Sequence, residues 1–63
     1  MLNGNKLREL REKRGISQAE AGRRMGLCRA AINHYEQGIR TPGIDIIAKL
    51  AKLYGVKIES LLK

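Results

Sequence analysis

Apolar residues recur along the chain at spacings of three and four, and glycines separate the segments in which they do so. Residues three or four apart share one face of a helix, so this pattern predicts an all-α protein without strands. Four helices are expected at 6–14, 18–25, 29–37 and 44–54, and a last short helix carries Ile58, Leu61 and Leu62. Residues 1–5 are interpreted as a loose lead-in to the first helix, with Asn3 or Asn5 as its cap.

The second and third helices are separated by a short turn. Ser17 and Glu20 form a capping box, in which the Ser17 hydroxyl accepts from the third amide ahead and Glu20 reaches back. Gly26 supplies the positive φ of a tight reversal, and Gly22 is small enough to let the helices cross closely. Residues 18–37 therefore have the pattern of a helix-turn-helix.

The third helix has two distinct faces when its residues are placed at about 100° intervals. One arc is a packing side, formed by Ala31, Ile32 and Tyr35. Glu36 lies on the flank. The opposite arc consists of Arg29, Ala30, Asn33, His34 and Gln37. This outward face carries hydrogen-bonding side chains instead of the Glu/Lys pairs of an ordinary solvated helix.

The fourth helix is apolar on most sides, which is typical of the central post of a small bundle. Its apolar residues are Ile44, Ile46, Ile47, Ala48, Leu50, Ala51, Leu53 and Tyr54. The last short helix either closes the core or offers an apolar face to a partner. Candidates for a dimer surface are Ile39, Ile58, Leu61 and Leu62.

Charge narrows the class of partner. Thirteen Lys/Arg against six Asp/Glu in 63 residues give a net charge of +7 in one small domain, 1–63. A basic domain favours a polyanion, with nucleic acid ahead of an anionic membrane. With two Tyr and no Phe or Trp, few rings are available to stack on unpaired bases, so double-stranded nucleic acid is expected.

Several classes of protein are not expected from this sequence. A single cysteine and a single histidine offer neither a disulfide nor a zinc site, and no apolar run approaches the roughly 20 residues of a membrane helix. No nucleophile–base pair, carboxylate dyad or phosphate-binding loop indicates an enzyme. We therefore expect no metal, cofactor, membrane or small-molecule substrate, and a cytoplasmic location at the nucleoid.

Three phrases of the sequence resemble a known family. Over Leu7 to Leu62, the chain is similar to the lambda-repressor and Cro-like (XRE-type) helix-turn-helix regulators. The phrases that carry the resemblance are SQAEAGRRMGLCRAAINHYEQG followed by Pro42, LRELREKRGISQAE and IIAKLAKLYGV. The resemblance implies a compact five-helix domain that binds operator DNA, usually as a dimer, in a phage or prokaryote. The sequence departs from the family at Cys28, where Ser or Thr is common, and at Ala21 and Gly22, where Leu and Ala are common.

Roles follow for the residues of this segment. On the outward face, Arg29 is expected to read guanine and Ala30 a thymine methyl group. Further base contacts are expected from Asn33, His34 and Cys28. Contacts with the DNA backbone are expected from Gln18, Gln37, Arg40 and Thr41. The resemblance also implies an ion pair between Arg11 and Glu36 that orients the third helix.

Each role has a simpler alternative. The polar residues of the third helix can be solvated surface, and the outward arginine can contact phosphate. Arg23 and Arg24 either flank the groove or are solvated charges, and Arg11 and Glu36 can be two unrelated surface charges. Cys28 is interpreted as a small, semi-buried filler more readily than as a redox switch. For the whole chain, the main hypothesis is a repressor that binds a palindromic operator as a homodimer. The alternatives are an antitoxin-type interaction module that also binds its own promoter, and a non-specific nucleic-acid binder.

Overall fold

Five α-helices follow one another in the computed structural model, which describes residues 2–62. They are α1 (Gly4–Lys13), α2 (Gln18–Met25), α3 (Arg29–Gln37), α4 (Ile44–Tyr54) and α5 (Ile58–Leu61). The described residues contain no strand, so the all-α, five-helix prediction is confirmed. The bounds of α2, α3 and α4 agree with those predicted, because capping residues and glycines mark them locally.

The beginning of α1 differs from the prediction. The helix starts two residues early, because the Asn3 side chain accepts a hydrogen bond from Lys6 N (3.1 Å) and caps it. Asn3 N donates to the Leu61 carbonyl (2.7 Å), which holds this segment against α5. Gly4 lies against the carbonyl group of Glu36, where a Cβ would clash with backbone. Asn3 is thus one of the two predicted caps, but residues 3–5 form a packed helix start, and their interpretation as a loose lead-in was wrong.

The core forms between all five helices. Its largest fully buried side chains are Leu7, Ile32, Leu50, Tyr54 and Leu61. Because Leu61 is fully buried, α5 closes the core and this residue is unavailable to a dimer surface. Ile39 is exposed, as predicted, but Ile44 at the start of α4 is also exposed (65%). The fourth helix is therefore buried along one face and not on most sides.

The turn between α2 and α3 depends on two glycines. Gly26 has φ +70°, which confirms the predicted left-handed residue. A Cβ on Gly22 would lie 2.7 Å from the Leu27 carbonyl oxygen, and Leu27 N donates to the Gly22 carbonyl (2.7 Å). Ala21 beside it is fully buried. Gly22 therefore lowers the helix propensity of α2 but lets the turn approach α2 closely.

Half of the predicted capping box is present at the start of α2. Glu20 N donates to Ser17 Oγ (3.0 Å), as predicted. The prediction that the Glu20 side chain reaches back to the start of the helix was wrong. Its carboxylate accepts from Arg23 (2.6 Å) and Arg24 (2.8 Å) instead. These hydrogen bonds, Arg23 first, lower the pKa of Glu20 to about 2. Both arginines are therefore paired on the protein surface.

The described residues contain neither a membrane-spanning helix nor a metal-binding cluster. None of the helices in residues 2–62 has the length and hydropathy needed to cross a bilayer. The same residues contain no cluster of three or more His, Cys, Asp or Glu side chains able to hold a metal ion.

Candidate nucleic-acid interface

The outward face of α3 is accessible: it is exposed at the first turn, half-buried in the middle and exposed again at Gln37. Cys28, Arg29 and Ala30 are exposed at its start, whereas Asn33 and His34 are half-buried on the following turn. The exposure of Cys28 contradicts its interpretation as a semi-buried filler. Three of the residues predicted to contact the DNA backbone lie at the end of this face and in the loop after it, and all are exposed: Gln37, Arg40 and Thr41.

An ion pair fixes α3 against α1. Arg11 Nε donates to Glu36 Oε2 (2.7 Å) and Arg11 Nη2 donates to Glu36 Oε1 (3.2 Å), a two-pronged contact. Arg11 Nη1 also donates to the carbonyl oxygen of Ile16 (2.8 Å) in the turn before α2. The structure thus contains the pair that the resemblance implied. The hydrogen bond to Glu36 is the main cause that raises the pKa of Arg11 above its ordinary value.

Glu36 is more enclosed than its position on the helical wheel suggested. The wheel placed Glu36 on the flank of α3, but Glu36 is only 8% exposed, because α1 covers that flank. Because a buried carboxylate that lost its cation would be strongly destabilising, we expect this pair to hold α3 in place against α1.

A chain of amide hydrogen bonds connects the buried carboxylate to the outward face. Gln18 Nε2 donates to Glu36 Oε1 (3.1 Å) and to Asn33 Oδ1 (3.1 Å). Gln37 Nε2 donates to the same Asn33 oxygen (3.2 Å). The three predicted site residues Gln18, Asn33 and Gln37 therefore lie together. The contacts of Gln18 could not be predicted from the sequence, whereas the spacing of four between Asn33 and Gln37 is a signal for the bond between those two side chains.

A polar cleft of about 500 Å³ lies beside this network, between α1 and α3. It is lined by Asn5, Arg8, Arg11, Glu12, Gln18, Asn33, Glu36 and Gln37. Asn5 and Arg8 were not among the predicted site residues, because nothing in the sequence distinguishes them from other polar residues of α1. Arg8 donates to Glu12 (3.2 Å), and both side chains are more than half exposed.

The starts of α2 and α3 leave backbone donors available. Within residues 2–62, the N–H groups of Gln18 and Ala19 at the start of α2 make no hydrogen bond, and neither do those of Arg29 and Ala30 in α3. Cys28 makes no side-chain cap bond either. Such unpaired amides and the helix dipole attract anions. Exposed arginine, polar side chains and free amides thus share one surface.

The sequence and the fold both have known relatives. A family model described as helix-turn-helix matches residues 7–61. The chain is 36% identical to the HTH-type transcriptional regulator ImmR of Bacillus subtilis, over 98% of this chain and 49% of ImmR. It is also 36% identical to the cryptic phage CTXphi transcriptional repressor RstR of Vibrio cholerae, over 92% of this chain and 52% of RstR. The chain thus spans about half the length of these two relatives.

The fold is similar to that of a solved repressor. The P22 c2 repressor protein, solved in complex with the synthetic operator 9T, superposes with a TM-score of 0.92 at 30% identity, over 100% of this chain and 96% of that one. The family model covers most of the chain and the architecture agrees with it. On these grounds, the chain belongs to the helix-turn-helix family of lambda-repressor and Cro-like (XRE-type) regulators.

Proposed function

We propose that this chain binds double-stranded DNA sequence-specifically and represses transcription, with α3 in the major groove of a palindromic operator. The observation that carries the proposal is the accessible outward face of α3, which presents Arg29, Asn33 and His34 on consecutive turns. The likeness to a repressor solved with its operator, over the whole chain, supports the same use of this face. Catalysis has no part in this function, since occupying the operator is sufficient to repress.

Base reading begins at the first turn of α3. Arg29 is exposed and makes no side-chain hydrogen bond within residues 2–62, so its guanidinium is available for guanine O6 and N7. Ala30 beside it is suited to a thymine methyl group, and Cys28 lies at the same end of the helix. Asn33 and His34 reach bases further along the groove.

Backbone contacts hold the protein in register. Gln37, Arg40 and Thr41 are exposed around the end of α3, where phosphates flank the groove. Gln18 contributes through its backbone N–H at the start of α2, because both hydrogens of its side-chain amide are already donated to Asn33 and Glu36. The net charge of +7 adds attraction for any duplex and makes affinity dependent on salt.

The proposal includes the assembly and the location. Residues 1–63 act as a single DNA-binding domain, and two copies bind half-sites about one helical turn apart. The protein resides in the cytoplasm, associated with the nucleoid, where its operator lies.

The deciding experiment is selection of bound sequences from a random duplex pool at physiological salt. Enrichment of a palindrome whose half-sites are about one turn apart is expected. Binding that is sensitive to salt but enriches no sequence would overturn the proposal in favour of general nucleic-acid binding. Enrichment of a single, non-repeated half-site would refute the homodimer and keep the sequence-specific contact.

A further inference from the structure

The side-chain oxygen of Asn33 is fully occupied within the protein. It accepts from Gln18 Nε2 at 3.1 Å and from Gln37 Nε2 at 3.2 Å. An amide oxygen has two lone pairs, so these two donors saturate it. The Asn33 amide therefore has no acceptor left to offer to a ligand.

The orientation of this amide is set by the buried ion pair. Arg11 holds both oxygens of the Glu36 carboxylate. Since an ionised carboxylate only accepts, Gln18 must turn its nitrogen towards Glu36 Oε1 (3.1 Å), and the second hydrogen of that nitrogen points to Asn33. Only an oxygen can receive it. The chain of contacts from α1 thus fixes Asn33 Oδ1 as the atom that faces the Gln18 nitrogen, and leaves Asn33 Nδ2 as the other polar atom of the amide.

Asn33 Nδ2 is available on the outward face of α3. Within residues 2–62 it makes no hydrogen bond, and in the same part of the chain no buried side-chain nitrogen or oxygen lacks a partner. A nitrogen without a partner is therefore one that solvent reaches. Asn33 lies on the same face as Arg29, one turn further along the helix.

We infer that Asn33 acts in recognition as a donor only, and that it reads guanine and not adenine. Asparagine ordinarily recognises adenine by donating to N7 while accepting from the N6 amino group, which needs a free side-chain oxygen. Here that oxygen is occupied. Guanine offers two neighbouring acceptors, N7 and O6, for the two Nδ2 hydrogens, whereas thymine offers one and cytosine offers a donor. This inference rests on the proposed function and specifies the base that one of its residues selects.

The first test locates the base pair that depends on Asn33. Sequences are selected from a random duplex pool with the wild-type chain and with Asn33→Ala. The wild type is expected to enrich G·C at one position of each half-site, and Asn33→Ala is expected to lose the preference at that position alone. Replacing this G·C by A·T should weaken wild-type binding about tenfold. An A·T or T·A pair at the position, or no position that depends on Asn33, would overturn the inference.

The second test frees the oxygen. In Gln18→Met/Gln37→Met, Asn33 Oδ1 has no internal donor, so the ratio of affinities for the G·C and A·T operators should fall from about tenfold towards one. Glu9→Met, an exposed α1 residue, is the matched control and should keep the full ratio. Thermal melting checks that each variant is folded. If the double variant binds no duplex, the single variant Gln37→Met decides. It removes one of the two hydrogen bonds to Asn33 Oδ1, so it should also lower the ratio of affinities for the G·C and A·T operators.

The outcomes separate this inference from the function on which it rests. If the wild type enriches no sequence, the proposed function fails. If it enriches a palindrome and the G·C to A·T ratio is unchanged in both methionine variants, DNA recognition stands and the donor-only role of Asn33 is refuted.

Discussion

At the scale of single residues, exposed arginines on one surface differ in what they are expected to do. Arg29 and Arg40 are both exposed, but Arg29 lies on the first turn of α3 and Arg40 in the loop after it. A guanidinium on the helix can enter the groove and pair with guanine O6 and N7, whereas one beside the groove meets phosphate. Sequence preference and general affinity are therefore expected to arise at different positions.

Alanine substitutions distinguish these two contacts. Arg29→Ala should lower affinity for the selected operator by about 1–3 kcal/mol and relax the preference at one base pair. Arg40→Ala is the matched control, and it should weaken all duplexes alike and reduce the salt slope by about 1. Titrations against the operator and its single-pair variants, at several salt concentrations, measure both. If Arg29→Ala weakened every duplex equally, Arg29 would be a phosphate contact.

At the scale of elements, the two helices of the helix-turn-helix start with the same backbone geometry and different caps. Ser17 has φ −75° and ψ 163°, and Cys28 has φ −85° and ψ 161°. The Ser17 hydroxyl accepts from Glu20 N, but Cys28 makes no cap bond. The helix proposed to enter the groove is thus the less well capped of the two.

Exchanging the cap should change stability in a known direction. Cys28→Ser should add about 0.5–1 kcal/mol to the free energy of unfolding, because the hydroxyl can accept from an unpaired amide of the first turn of α3. Ser17→Ala is the control at the other helix and should cost about 1 kcal/mol. Urea titration measures both changes. A Cys28→Ser variant no more stable than the wild type would show that this geometry does not support a cap.

At the scale of the whole molecule, one ion pair connects elements that are distant in sequence. Arg11 in α1 reaches Glu36 in α3 and the Ile16 carbonyl before α2, and Gln18 extends the contact to Asn33. Side chains of the pair are 11% and 4% exposed, so solvent screens them little. The position of the outward face relative to the core therefore depends on this connection.

A double-mutant cycle measures how strongly the pair couples these helices. Arg11→Ala and Glu36→Ala should each cost about 3 kcal/mol or more, because each leaves a buried partner unpaired. The double variant should cost less than their sum, by at least about 1 kcal/mol. The exposed pair Arg8–Glu12, on a single helix, is the control and should couple by about 0.5 kcal/mol or less. Coupling near zero for the buried pair, from urea titrations, would refute its role as a brace.

The local features of the fold could be predicted from the sequence because they depend on neighbouring residues. Ser17 and Gly26 mark the bounds of α2, and Gly38 marks the end of α3, through capping and positive φ within one turn of chain. Helical periodicity likewise places Ile32 inward and Arg29 outward, as the structure has them.

The tertiary structure alone decided the contacts between residues far apart in the chain. It placed Gly4 against Glu36 and buried Leu61. The link from Gln18 to Asn33, fifteen residues on, was not in the local pattern either. Periodicity gives the face on which a side chain lies, but its partner depends on how the helices pack. The sequence therefore determined which residues face outward. Only the packing of α1, α2 and α3 determined which atom of the Asn33 amide is left available on that face.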